Sequence, residues 1–272
     1  MAASIITASP RPAPFDAVAE TYDQVWTNSL IGRAQRRAVW RELDALFRPG
    51  DRVLELNCGT GVDAIHLAER GVEVLACDAS RAMITVACRR LDTVRPCANV
   101  RFSVLATEDI AELESQAPFD GVLSNFAGLN CVGDLGAVVR VLARLLKPGA
   151  NALLCLAGHF ALWEIVWYLA HGEPGKALRR VRRGGTVARL ADNSYVKVHY
   201  PTVNQLARMF APELRLKSWK GVGLAVPPSY LEPLARRFPG ILEALERADR
   251  RLARCPGLRG LADHILLNFE RV

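Results

Sequence analysis

The residues best placed to do chemistry crowd into one stretch, VLELNCGTGVDAIHLAERGVEVLACDAS, residues 53–80. An apolar run ends in a glycine turn, a helical pattern follows, and a second apolar run ends in an acid, Asp78. Gly59, Gly61 and Ala64 satisfy the G-x-G-x-x-(G/A) spacing with which a strand–turn–helix holds a dinucleotide, with Asp78 for the ribose.

The same geometry suits S-adenosylmethionine for different reasons. That cofactor has no phosphates, so the helix amino end has no pyrophosphate to neutralise. It is a sulfonium cation bearing an amino acid, which favours an acid near the loop, and Glu55 supplies one. Gly59 and Gly61 let the backbone approach the ligand closely. Asp78 can accept hydrogen bonds from both ribose hydroxyls, a charge-assisted pairing.

Other candidates stand further along. A general base is needed only when a methyl acceptor must lose a proton. His159, just beyond the fifth strand, is the catalytic candidate, with His199 in VHYPT behind it; His66, inside a helix, reads as packing. Asn125 ends the fourth strand, where open α/β sheets meet their ligands. There is no G-x-S-x-G elbow and no Walker loop. The seven cysteines (Cys58, Cys77, Cys88, Cys97, Cys131, Cys155, Cys255) stand singly, without CxxC spacing. Their odd number fits a reducing compartment, and the expected location is the cytoplasm. No metal site is expected.

The elements that must position these residues alternate. DRVLELN, VEVLACD, VRFSVLA, FDGVLSNF and ANALLCLAG read as strands, with helices between them and Ser80 placed to cap the second. LGAVVRVLARLL is an amphipathic helix stopped by Lys147-Pro148-Gly149. Such alternation predicts a parallel sheet covered on both faces. After Gly158 the rhythm breaks: 160–183 reads as wholly helical, first apolar and then basic. YVKVHY and LRLKSWKGVGL read as later strands with the helix TVNQLARMF between them, and DHILLNFERV as the last strand.

E-L-N-C-G-T-G followed by C-D-A-S-R-A-M resembles motifs I and post-I of class I S-adenosylmethionine-dependent methyltransferases. LLKPGA resembles the segment before their fifth strand. FDAVAETYDQVW resembles the amino-terminal helix of the branch containing the ubiquinone and menaquinone methyltransferases. The resemblance covers about residues 15–157. It implies a doubly wound, seven-stranded, mostly parallel sheet of Rossmann-like form with a helical insertion after the fifth strand. Residues 1–14 then form a flexible tail and 15–272 a single domain, with 159–190 a helical cap.

The resemblance also implies a cofactor site. Asn57 stands where the family has its first loop glycine, and asparagine tolerates positive φ better than most residues. Cys58 and Ala79 lie within the two matching motifs. Met83 occupies the position where an apolar side chain packs on adenine, and Tyr22 that of an aromatic closing over the cofactor. Glu108 or Asp109 supplies the adenine-binding acid, with Glu108 preferred.

The expected reaction is O- or C-methylation of a small, mostly apolar acceptor. Trp163, Trp167 and Tyr168 are read as walls of its pocket under a lid. The basic run Lys176, Arg179, Arg180, Arg182, Arg183 and Arg189 is either a solvated face or a contact for an anionic surface. The alternatives are a methyltransferase acting on RNA or protein, a nicotinamide-dependent oxidoreductase, and a non-catalytic cofactor-binding scaffold. SNFAGL lacks the Asn/Asp-Pro-Pro-Tyr signature of many nucleic-acid methyltransferases, so nucleic acid is not the preferred partner.

Overall fold

The computed structural model describes residues 6–7, 13–94, 99–182, 184–191 and 193–272. Five parallel strands, β1 (Arg52–Leu56), β2 (Glu73–Asp78), β3 (Val100–Val104), β4 (Phe119–Ser124) and β5 (Leu146–Ala157), are followed by β6 (Leu214–Val222) and β7 (His264–Arg271). Their order is 3-2-1-4-5-7-6, with β7 antiparallel to both its neighbours. This is the expected seven-stranded, mostly parallel sheet.

The strands are apolar on both sides because both faces are covered. Successive residues of β1 go to opposite faces. Leu54 and Leu56 join the core beneath α4 (Leu135–Leu145) and α6 (Val203–Phe210). Val53 joins the core beneath α1 (Leu30–Leu46) and α2 (Val62–Glu69). Glu55 shares the side of Val53, which brings an acid under α1 and α2. The second crossover helix, α3 (Arg81–Thr93), is capped as expected: Ser80 Oγ accepts the Met83 N–H at 3.0 Å.

Two expectations need correction, and a third falls mostly outside the described residues. The 159–190 insertion is helical only in part. α5 (Leu162–Ala170) and two short turns, Pro174–Ala177 and Arg179–Val181, precede a strand, Thr186–Ala191. YVKVHY is not a strand of the main sheet; Ser194–Val198 pairs with Thr186–Ala191 in a separate antiparallel hairpin. The flexible-tail reading of 1–14 falls mostly outside the described residues. Ile6–Thr7, however, pairs in parallel with Ser103–Val104 and so extends the sheet edge.

Candidate active site

At the end of β1 the chain reverses through Asn57 (φ 55°), Gly59 (φ 53°) and Gly61 (φ 76°), all left-handed. Asn57 takes this conformation as an asparagine can. Its Oδ1 accepts from Ser124 Oγ at 3.3 Å. The side chain has a partner cost elsewhere: a Cβ at Gly128 would lie 2.3 Å from that of Asn57, so a glycine is needed there.

The two loop glycines do different work. A Cβ at Gly59 would meet nothing within 4 Å, because this residue faces open space over the sheet edge. A Cβ at Gly61 would fall 2.6 Å from the Phe102 ring and 2.9 Å from Ala87. Gly61 therefore serves helix–strand packing and does not border the ligand space. Gly61→Ala should lower stability by about 1–3 kcal/mol through overpacking, with a left-handed strain besides. Gly59→Ala should suffer only the strain. Equal denaturation midpoints for the two variants would contradict this division.

Asp78, ending β2, accepts the Gly59 N–H on one oxygen (2.9 Å) and the Ser80 N–H on the other (2.8 Å). Burial pushes its carboxyl up, against the pull of those two N–H groups. A cleft of about 400 Å³ opens above, bordered by Asn57, Gly59, Asp78, Ala79, Met83 and Glu108. Tyr22, Phe126, Leu190, Val196 and Val198 border its other side. The hairpin and the amino-terminal segment are thus its cover. That segment is tied down by Ser80 Oγ donating to Asp16 (2.6 Å), Thr60 Oγ1 donating to Asp23 (2.7 Å) and an Arg90–Asp23 ion pair. Ser194 Oγ in the hairpin donates to the Pro14 carbonyl at 2.6 Å.

Seven of the residues singled out from sequence therefore meet in one cleft: Tyr22, Asn57, Gly59, Asp78, Ala79, Met83 and Glu108. Glu108 borders it and Asp109 does not. Cys58 is buried behind the loop, its N–H given to the Cys77 carbonyl. Asn125 turns away from the cleft: its Nδ2 donates to Asp63 at 2.8 Å, and its Oδ1 accepts the Phe126 N–H. Phe126 and Ala127, next in chain, both have positive φ. Side chains other than glycine adopt that conformation at a cost, and it recurs at functional sites.

Glu55 is 1% exposed and lies outside the cleft lining, with Oε2 lacking a hydrogen bond among the described residues. Burial pushes its carboxyl well up, as do the charges of Asp63 and Asp78, while Arg36 opposes them. An orphaned buried acceptor beside the loop suits a bound ammonium or sulfonium cation. Together with Asp78 for paired hydroxyls, Met83 for a flat apolar surface and Gly59 for close approach, the residues present fit S-adenosylmethionine.

A second chamber, about 300 Å³, adjoins the first and shares Phe15, Tyr22, Phe126 and Leu190 with it. Its apolar wall is completed by Val18, Trp26 and Ile31; Gln35, Arg36, Arg189, Asp263 and His264 make its polar end. Arg36 donates to Asp63 at 2.6 Å and lies over the Phe126 ring, 4.9 Å from its centre. Asp63 also accepts from Trp40 Nε1 at 2.6 Å. Burial pushes the Asp63 carboxyl up, but Arg36 and these donors bring it below its usual range.

Sequence reasoning missed this polar end. The available signal was Asp263-His264 at the start of the last strand: β7 runs antiparallel, so its beginning lies at the carboxyl edge of the parallel strands, His264 opposite Ala157.

His159 borders neither chamber. Its Nδ1 pairs with the Tyr200 carbonyl at 2.7 Å, and its ring borders a separate hollow with Pro201 and Trp219. His199 borders neither chamber and gives its N–H to the Asn130 carbonyl at 2.7 Å. His66 packs as expected, stacked on Trp40 with ring centres 3.8 Å apart.

Trp163 and Trp167 also fail to line either chamber. They pack on a third apolar cluster with Ile31, Ala34, Val226 and Leu231, and Trp163 Nε1 donates to the Ala225 carbonyl at 3.2 Å. The tryptophan-rich helix rests on this cluster through Trp163 and Trp167 and leaves Leu162, Val166 and Leu169 exposed, while the hairpin and amino-terminal segment border the cleft.

Nor is the basic run one solvated face. Arg179 Nε and Arg180 Nη2 both reach Glu164, at 2.6 and 2.8 Å, and Glu164 is 3% exposed. Lys176 pairs with Glu173, and Arg182 is bonded to the Gly175 carbonyl on the surface. Arg183 lies outside the described residues.

Residues 53–149 match the profile of a family described as "Methyltransferase domain". Over 223 residues the chain is 30% identical to a demethylmenaquinone methyltransferase of Corynebacterium urealyticum, covering 77% of this chain and 85% of that one. Over 162 residues it is 30% identical to the tRNA 5-carboxymethoxyuridine methyltransferase of Escherichia coli K12, covering 58% and 57% respectively. The chain spans little more than half the length of that relative and of a demethylmenaquinone methyltransferase of Beutenbergia cavernae (55%). In fold it resembles the [4+2]-cyclase SpnF, with a TM-score of 0.63, 17% identity and 98% of each chain covered.

Proposed function

Because the chain belongs to the class I S-adenosylmethionine-dependent methyltransferases, we propose that it methylates a small, mostly apolar acceptor, on oxygen or carbon, seated in the 300 Å³ chamber. The observation that carries this reading is the shared wall: Phe15, Tyr22, Phe126 and Leu190 border both chambers, so two ligands held there lie side by side. Holding two reactants close and aligned supplies much of the catalysis in a displacement of this kind. The nicotinamide alternative falls with the family membership.

The bound cofactor supplies a methyl carbon already activated by positive sulfur. In the proposed arrangement Asp78 accepts from the ribose hydroxyls, Glu108 and Met83 hold the adenine, and Asn57 faces the methionine end with the Glu55 carboxyl buried beside the loop. Residues 15–272 act as one unit, in which Tyr22, Phe126 and the hairpin close off water.

The RNA reading draws on the tRNA-modifying relative, and a chamber of this size also admits a single base turned out of its stack. The internal use of Arg179 and Arg180 argues against it, because the basic run then offers little charge to a phosphate backbone. A radiolabelled-methyl screen against lipid-soluble phenols, quinols, acidic metabolites and bulk tRNA decides. Label should enter the organic-extractable small molecules; label found only in precipitable tRNA would overturn the small-acceptor reading.

A further inference from the structure

We propose that His264, oriented by Asp263, takes the proton of an acidic hydroxyl on the acceptor, which makes that acceptor an aromatic or enolic hydroxyl compound. The inference rests on the preceding reading and assigns the polar end of the chamber.

The imidazole of His264 borders the chamber, edge-on to Phe126 with ring centres 5.4 Å apart. Phe126 also borders the cofactor cleft, so the base stands one ring away from where the methyl group arrives. Its Nδ1 has no hydrogen bond among the described residues, and the Asp263 Oδ2 lies 3.4 Å from it. Asp263 is itself pinned: Arg180 Nη2 donates to its Oδ1 at 2.7 Å, and Arg180 Nη1 to its carbonyl at 2.9 Å. Its Oδ2 faces the imidazole, and the Gln35 amide also reaches this carboxylate. A carboxylate 3.4 Å from Nδ1 favours the tautomer with the proton there, which makes Nε2 the accepting nitrogen.

The charged and titratable groups facing this imidazole are Asp263 from its own strand and Arg180 from the turn Arg179–Val181. Arg36, Tyr22 and Arg189 border the same chamber. Burial pushes the imidazole below its usual range; Asp263 pulls it up and Arg180 pushes it down again. The net direction favours the neutral imidazole, the form able to accept. Burial likewise pushes the Asp263 carboxyl up, but His264 and Arg180 outweigh that and keep it below the usual range.

The step balances simply. The hydroxyl proton passes to the imidazole and then to solvent. The oxygen's electron pair forms the new O–CH₃ bond as the S–CH₃ bond breaks onto sulfur. Arg36, whose Nε is buried without a partner among the described residues, stands at the same end to steady the developing phenolate.

The test uses 4-nitrophenol, whose phenolate alone absorbs strongly in the visible, titrated onto protein loaded with S-adenosylhomocysteine. Bound probe should ionise about 1 pH unit or more below free probe. His264→Gln should abolish the shift while leaving S-adenosylhomocysteine affinity unchanged, and Asp263→Asn should shrink it. Should His264→Gln fail to fold, the wild-type protein still decides, since 4-nitroanisole, lacking the proton, must bind at least about tenfold more weakly. Probe that does not bind, or that ionises alike in free solution, wild type and variant, would overturn the assignment of His264. Failure of the wild type to bind S-adenosylhomocysteine would instead count against the methyltransferase reading itself.

Discussion

Arg180→Gln should cost the native state about 3–5 kcal/mol, the scale of a buried charge pair deprived of one partner. Arg180 holds Glu164 and Asp263 together, with side-chain exposures of 12, 4 and 13% for the three residues. It also donates to the Gly158 and Asp263 carbonyls. Glutamine reaches fewer of these acceptors and carries no charge, so two buried carboxylates face each other's neighbourhood with only Arg179 left to Glu164. Adding Glu164→Gln to the variant should restore part of the loss, because one uncompensated charge disappears. Urea denaturation with unchanged slope checks both statements. A loss below about 0.5 kcal/mol, the range of exposed pairs, would mean that this residue belongs to a solvated surface after all.

The second large effect concerns the cofactor. Asp78→Ala should weaken S-adenosylhomocysteine binding by about 1.5–3 kcal/mol, the worth of hydrogen bonds to a charged group, or roughly tenfold to over a hundredfold in affinity. Two contributions act together. The ribose hydroxyls lose their acceptor, and the Gly59 and Ser80 N–H groups lose theirs, which loosens the loop that shapes the cleft. Asp78→Asn keeps the shape and one oxygen and should fall between the two. Calorimetric titration of the three proteins gives the order; equal affinity in all three would remove Asp78 from the site.

The cofactor half of this molecule was legible because its determinants are local. β1, the loop, α2, β2 and the Ser80 cap follow one another within 30 residues of sequence, and Asn57 takes the left-handed conformation its side chain allows. What escaped was set by residues distant in the chain. The role of Gly61 depends on Phe102, a contact made only when β3 joins the sheet. His159 looked catalytic because it follows a strand end, yet the Tyr200 carbonyl claims its ring. His264 was not singled out because a strand pattern carries no direction, and only the antiparallel run of β7 brings it to the ligand edge.

The tryptophans misled for a related reason. An apolar helix needs a partner, and sequence does not say which side of it the partner lies on; Trp163 and Trp167 found α1 and the segment around Leu231, not a ligand. Charge was misread likewise, since Glu164 lies 15 and 16 residues before the arginines that neutralise it.

The central claim is that two adjoining chambers divide the work, one holding S-adenosylmethionine through Asp78 and the other holding the acceptor beside His264. Isothermal titration with S-adenosylhomocysteine on the wild type, Asp78→Ala and His264→Gln tests it most directly. The wild type should bind one equivalent, His264→Gln should bind it with the same affinity, and Asp78→Ala should lose roughly tenfold or more. No binding by the wild type, or equal losses in the two variants, would contradict the claim.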